Sequence, residues 1–211
     1  NREKAKDVES LQGDYLTKSM NVMQETNLDG KYLEYSLWRE CESKEEISIE
    51  GREIVVSVDL SVSNDLTAVG WMFKDDYIYC GSHGFLPNLT IKNTNRREHI
   101  DYKYMESKGY CSTRKDVVNS VDYDEVYKYI HDLEDVYGAK IKLIIFDPRE
   151  ALELQSKFEG EGYDILSLQQ GYSTLSLATK EFRRFVYEHK LLYQKNELLD
   201  WNVSCAICHV G

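Results

Sequence analysis

The chain has 211 residues, 42% hydrophobic and 30% charged, the balance of a soluble globular protein and not of a disordered one. No apolar run reaches the length of a membrane span, and the opening Asn1-Arg2-Glu3-Lys4 does not start a signal peptide. A net charge of −11 argues against a broad basic face that grips nucleic acid regardless of sequence, but leaves room for a nuclease with acidic metal ligands and a small basic rim. The absence of an initiator Met is what a fragment or a processed product is expected to show. The five cysteines, Cys41, Cys80, Cys111, Cys205 and Cys208, are odd in number and mostly irregular in spacing, which reads as reduced thiols in a cytosol.

In chain order, residues 1–23 are charged and then carry Tyr15, Leu16, Met20 and Val22, as a helical piece entering a linker does. Residues 31–46 predict a short helix with Leu33, Leu37 and Trp38 on one face. The compact domain is expected to start near residue 53, so that 1–52 form a linker and 53–211 a single domain. Strands are expected over 54–60, 66–74 and 76–86, with Lys74-Asp75-Asp76 as a tight turn. Residues 87–120 read as a long irregular loop, a length that usually carries a function or covers something.

Asp122 predicts the N-cap of a helix bearing Val126, Ile130, Leu133 and Val136 or Tyr137 inward, ended by Gly138. Ile141 to Phe146 reads as a buried strand that stops at Asp147-Pro148, with Asp147 as a candidate cap of a helix to about Glu159. Tyr163 to Leu168 predicts another strand, and Gln169-Gln170-Gly171-Tyr172 a loop. The next helix is expected to turn Leu177, Phe182, Phe185 and Val186 inward and Lys180, Arg183 and Arg184 outward. A short edge strand at Leu191-Leu192-Tyr193 and a helical segment over 197–210 complete the chain. An antiparallel opening followed by alternating strands and helices predicts an α/β fold, a mixed sheet with helices on its faces.

Asp59 and Asp147 each end an apolar strand. If those strands are neighbours, both carboxylates reach one edge of the sheet, where α/β proteins collect their sites. Two close carboxylates repel unless a cation balances them, and hard oxygen donors favour Mg²⁺ or Mn²⁺. Simpler roles exist for both: Asp147 as a helix cap, Asp59 as a partner of the turn toward Asp65.

Val58-Asp59-Leu60-Ser61 with Asp65-Leu66-Thr67-Ala68 resembles the first motif of the nuclease domain of tailed-phage terminase large subunits. Phe146-Asp147-Pro148-Arg149-Glu150-Ala151 resembles that family's second motif. Gln170-Gly171-Tyr172, Leu175-Ser176, Lys180-Glu181 and Asn196-Glu197-Leu198-Leu199-Asp200-Trp201 resemble its third block, in order and at similar spacing. Tyr15-Leu16-Thr17-Lys18 with Asn21 resembles the linker that leaves the family's ATPase domain.

The resemblance implies an RNase H-like mixed β-sheet flanked by helices and a two-metal endonuclease that cuts concatemeric double-stranded viral DNA during packaging. Carried over, Asp59 and Asp147 are catalytic metal ligands for Mg²⁺ or Mn²⁺. Lys180, Arg183 and Arg184 are candidates for DNA phosphates, with a solvated helix face as the plainer role. The family implies the terminase small subunit and portal protein as partners, no membrane, and the cytoplasm of an infected or lysogenic bacterium. Its third metal-binding aspartate comes well after the Asn…Trp block, and Asp200 does not match it. The expectation is therefore two of three acidic corners and a domain incomplete at its C-terminus. No Gly-x-x-x-x-Gly-Lys-Ser/Thr run is present, so no ATPase motif accompanies it.

Two rival readings keep the fold: a catalytically incomplete module that binds DNA or packaging partners, and another RNase H-like polynucleotidyl transferase. Cys205-Ala206-Ile207-Cys208-His209 formally matches a haem-attachment pattern or a corner of a zinc site, with terminal-helix packing as the plainer reading.

Overall fold

The computed structural model describes residues 30–61, 66–87, 100–114, 121–148 and 151–208. The helical piece and linker expected before residue 24, Asp65, the Arg149-Glu150 pair and His209 lie outside the described residues. In chain order the elements are α1 (Tyr35–Glu40), β1 (Glu53–Asp59), β2 (Thr67–Lys74), β3 (Ile78–Pro87), α2 (Tyr102–Ser107) and β4 (Cys111–Arg114). There follow α3 (Tyr123–Asp135), β5 (Lys140–Phe146), α4 (Leu152–Gly160), β6 (Ile165–Ser167), α5 (Tyr172–Tyr187), β7 (Leu191–Tyr193) and α6 (Glu197–Cys205).

The strands form one mixed sheet in the order β4-β3-β2-β1-β5-β6, with β7 also pairing β3. The opening β1-β2-β3 meander is antiparallel, and β5 and β6 join β1 in parallel. In β1 the alternation is strict: Ile54, Val56 and Val58 are buried while Glu53, Ser57 and Asp59 face out. The buried side meets Val126, Ile130 and Leu133 of α3 and Leu154 and Phe158 of α4 in the main core. Asp122 caps α3 by accepting from the Asp124 N–H at 2.9 Å, as its place before the periodic run predicts. Val136 and Tyr137, one of which is expected inward, are 68% and 53% exposed, because α3 ends at Asp135 and the chain leaves through Gly138 at φ +70°.

Other expectations are corrected. Lys74 pairs with Ile78, so the hairpin loop is Asp75-Asp76-Tyr77 and β3 starts two residues later than 76. The 87–120 stretch holds two elements, α2 and β4, and β4 extends the sheet beside β3. Asp147 does not cap α4: the helix starts at Leu152, and its first turn closes from the Gln155 N–H onto the Ala151 carbonyl at 2.8 Å. Leu177 is 73% exposed, while Phe182, Phe185 and Val186 do turn inward.

A second core lies beside β3 and β7. Leu33, Trp38 and Cys41 pack there with Cys80, Val186, Leu191 and Tyr193, so the α1 segment sits on the sheet. Bonded to it is the buried Asp200, 2% exposed. The Asp200 carboxylate accepts from Trp38 Nε1 at 2.8 Å and from the Arg39 guanidinium. The Trp38 ring stacks on Tyr193 at 4.0 Å, and burial together with Asp200 pushes the Tyr193 phenol up. Residues 30–32 meet 206–208 in a short antiparallel contact, with Tyr32 N–H to Ala206 C=O at 3.0 Å and Cys208 N–H to Gly30 C=O at 2.7 Å.

Candidate active site

The site is built by the pairing of β1 with β5. Their parallel register runs Val56↔Ile144, Ser57↔Ile145, Val58↔Phe146, so the next residues, Asp59 and Asp147, stand side by side at the carboxyl ends of neighbouring strands. β6 continues the same edge, with Ser167 beside Phe146. The parallel arrangement has a cause in the sequence: β1 and β5 are connected through other elements, and their Val- and Ile-rich runs bury one face under α3 and α4.

Asp59 is exposed at the strand end and is not enclosed in the core. Near it, the fully buried Thr67 accepts from the Ser61 N–H at 2.9 Å. Its carboxylate accepts from Gln170 Nε2 at 3.4 Å. Desolvation by the surrounding protein pushes the Asp59 carboxyl above the usual range, the Gln170 hydrogen bond works against that rise, and the charge of Asp147 adds to it. The two carboxylates therefore sense one another electrostatically.

Two hard oxygen donors with mutual repulsion are a donor set that fits a divalent cation. Among the described residues, no group of three or more His, Cys, Asp or Glu side chains comes together to complete one. Asp200 cannot serve, since its carboxylate is committed to Trp38 and Arg39 at the other core.

The three basic candidates all lie on α5 but differ in surroundings. Arg184 is held by Glu181 at 2.7 Å and Glu188 at 3.1 Å. Arg183 lies over the Tyr187 ring at 5.2 Å and donates to its hydroxyl at 3.4 Å. Lys180 is exposed. At the far end of the chain, Cys205 is half-buried with its Sγ 3.9 Å from the Ser204 hydroxyl, and Cys208 is exposed. The residue that sequence reasoning passed over is Gln170; the Gln-Gln-Gly run ahead of a helix was visible, its contact with Asp59 was not.

Residues 3–209 match the model of the family described as terminase large subunit, endonuclease domain. The chain belongs to this family. Among solved structures the domain is similar to the HK97 bacteriophage large terminase, with a TM-score of 0.70 at 19% identity, over 94% of this chain and 40% of that one. It is also similar to the large terminase of a thermophilic bacteriophage, with a TM-score of 0.53 at 14% identity, over 84% of this chain and 37% of that one. These likenesses establish the fold, RNase H-like, and the terminase nuclease domain spans about two fifths of the length of those chains. None of the curated proteins matches it. Among the described residues no helix is long and apolar enough to cross a membrane.

Proposed function

We propose that this terminase nuclease domain is a metal-dependent endonuclease that cuts concatemeric double-stranded viral DNA during genome packaging. The observation that carries the reading is the adjacency of Asp59 and Asp147 at the ends of two paired parallel strands. These two carboxylates would hold Mg²⁺ or Mn²⁺. When bound, the metal supplies charge neutralisation at the phosphodiester and a more acidic water. The chain's own part is to keep both carboxylates at one edge and open to the substrate. Lys180 and Arg183, on the helix that leaves this edge, would meet DNA phosphates, and Arg184 contributes less because two glutamates already hold it. The partners of the reading are double-stranded DNA, the terminase small subunit and the portal protein.

The test is nicking of supercoiled plasmid in Mn²⁺. Asp59→Asn and Asp147→Asn are each expected to lower the rate by about 10³-fold, equivalent to about 4 kcal/mol of transition-state stabilisation. Thermal melting should stay within a degree or two of the parent. Unchanged nicking by either variant overturns the catalytic assignment.

One observation favours a second reading. The described residues bring two acidic groups together at this edge and no third. In that case the domain binds DNA or packaging partners and does not cut. Saturable Mn²⁺ binding without any nicking, with gel-shift of duplex DNA intact, is the outcome that selects it.

A further inference from the structure

We propose that Gln170 is a positioning residue for Asp59, fixing one carboxylate oxygen so that the other is presented to the cation. The inference rests on the reading of Asp59 as a metal ligand. The peptide around Gln170 is firmly held. β6 is locked to β5 through Ser167, and the Leu168 N–H continues the ladder onto the Phe146 carbonyl at 2.8 Å. The chain then turns into α5, and Thr174 fastens the turn on both sides of residue 170. The Thr174 hydroxyl donates to the Gln169 carbonyl at 2.5 Å and accepts from the Gly171 N–H at 3.2 Å. Gln170 is thereby fixed between two clamped neighbours, and its amide reaches Oδ1 of Asp59 across 111 residues of chain.

The chemistry of an amide suits the task. A lysine or arginine there would neutralise Asp59 and repel a cation, whereas a neutral N–H donor orients the carboxylate without competing for the site. At 3.4 Å the contact is long, as hydrogen bonds at sites often are before ligand binds. Hydrogen bonds of this kind to a ligating carboxylate are worth about 10- to 100-fold in metal affinity.

Two measurements on the 211-residue chain test the proposal. The first is Mn²⁺ titration followed by the electron paramagnetic resonance signal of the free ion. Gln170→Leu, which keeps the bulk and removes the donor, is expected to weaken Mn²⁺ binding about tenfold. Thr174→Val should weaken it in the same direction by less, and Thr174→Ser, which keeps the hydroxyl, should bind as the parent does. The second is the side-chain rotamer of Asp59 in metal-free protein, read from the scalar couplings of its β protons. A single rotamer in the parent and averaging in Gln170→Leu are expected. Parent-like Mn²⁺ affinity in Gln170→Leu, where Asp59→Asn loses binding, overturns the proposal, as does rotamer averaging in the parent. A parent that binds no Mn²⁺ yet holds Asp59 in one rotamer sinks the metal reading and leaves the positioning role standing.

Discussion

Asp200 and Asp59 are the same side chain in opposite situations. Asp200 lies 2% exposed, its oxygens taken up by Trp38 and Arg39, between α1, β7 and α6. Asp59 stands exposed at the end of β1, with a long hydrogen bond from Gln170 and a second carboxylate beside it. A carboxylate whose partners are all supplied by the fold has nothing left to offer a ligand, so its contribution is to stability. A carboxylate set next to its own like charge contributes little to stability and retains capacity for a cation. The contrast sets a carboxylate saturated by the fold against the one that the proposed function assigns to metal.

The sharpest way to break that contrast is to remove each carboxylate in turn. Asp200→Ala strands the Trp38 indole N–H and takes a buried partner from Arg39, and should cost about 3 kcal/mol. Asp59→Ala should change stability by less than about 0.5 kcal/mol, as an exposed substitution does. Urea unfolding of both variants checks the pair, and comparable losses would erase the distinction.

His83 extends the closed side of the comparison. Its ring stacks on Tyr129 at 4.8 Å and its Nε2 lies 2.7 Å from the Ser112 hydroxyl. Burial pushes its pKa down to about 4, against the opposing influence of a backbone contact at Gly109. Between the ordinary value and that one, the unfolded chain binds a proton that the folded chain does not. Stability from this group is therefore full above about pH 6.5 and lost as pH falls toward 4. Lowering the pH from 7 to 4.5 should cost the parent about 2 kcal/mol more than it costs His83→Gln, read from urea midpoints at both pH values.

The smallest expected effects belong to the helix that leaves the open edge. Lys180→Ala should weaken duplex binding and lower the salt slope by about one. Arg184→Ala should change it by less, because Glu181 and Glu188 already offset that charge. Filter binding across a salt series separates the two.

What could be read in advance follows from where the information lies. β1, β2 and α3 carry strong periodicity and local signals such as the Asp122 cap, and they stand within a residue or two of expectation. Asp59 and Asp147 were legible because each breaks an apolar run. The elements α2 and β4 were hidden by their length: six and four residues are too few for a pattern to show. The start of α4 was misjudged because Asp147-Pro148 carries the local chemistry of a helix start, whereas the backbone delays the helix to Leu152. Leu177 was turned inward by its hydrophobicity alone, though α5 packs through its C-terminal half, around Phe182, Phe185 and Val186. The partnerships that define the two aspartates were out of reach, since Trp38 lies 162 residues from Asp200 and Gln170 lies 111 from Asp59.

The antiparallel contact between residues 30–32 and 206–208 has a mechanical consequence. Residues 30–32 and 206–208 are thereby tied to one another. The contact lies on the side of α1 and α6, whose residues pack with β7 and β3, and β2 stands between β3 and the strand that bears Asp59. β2 and β3 thus separate that contact from the β1–β5 pair that carries the two strand-end carboxylates.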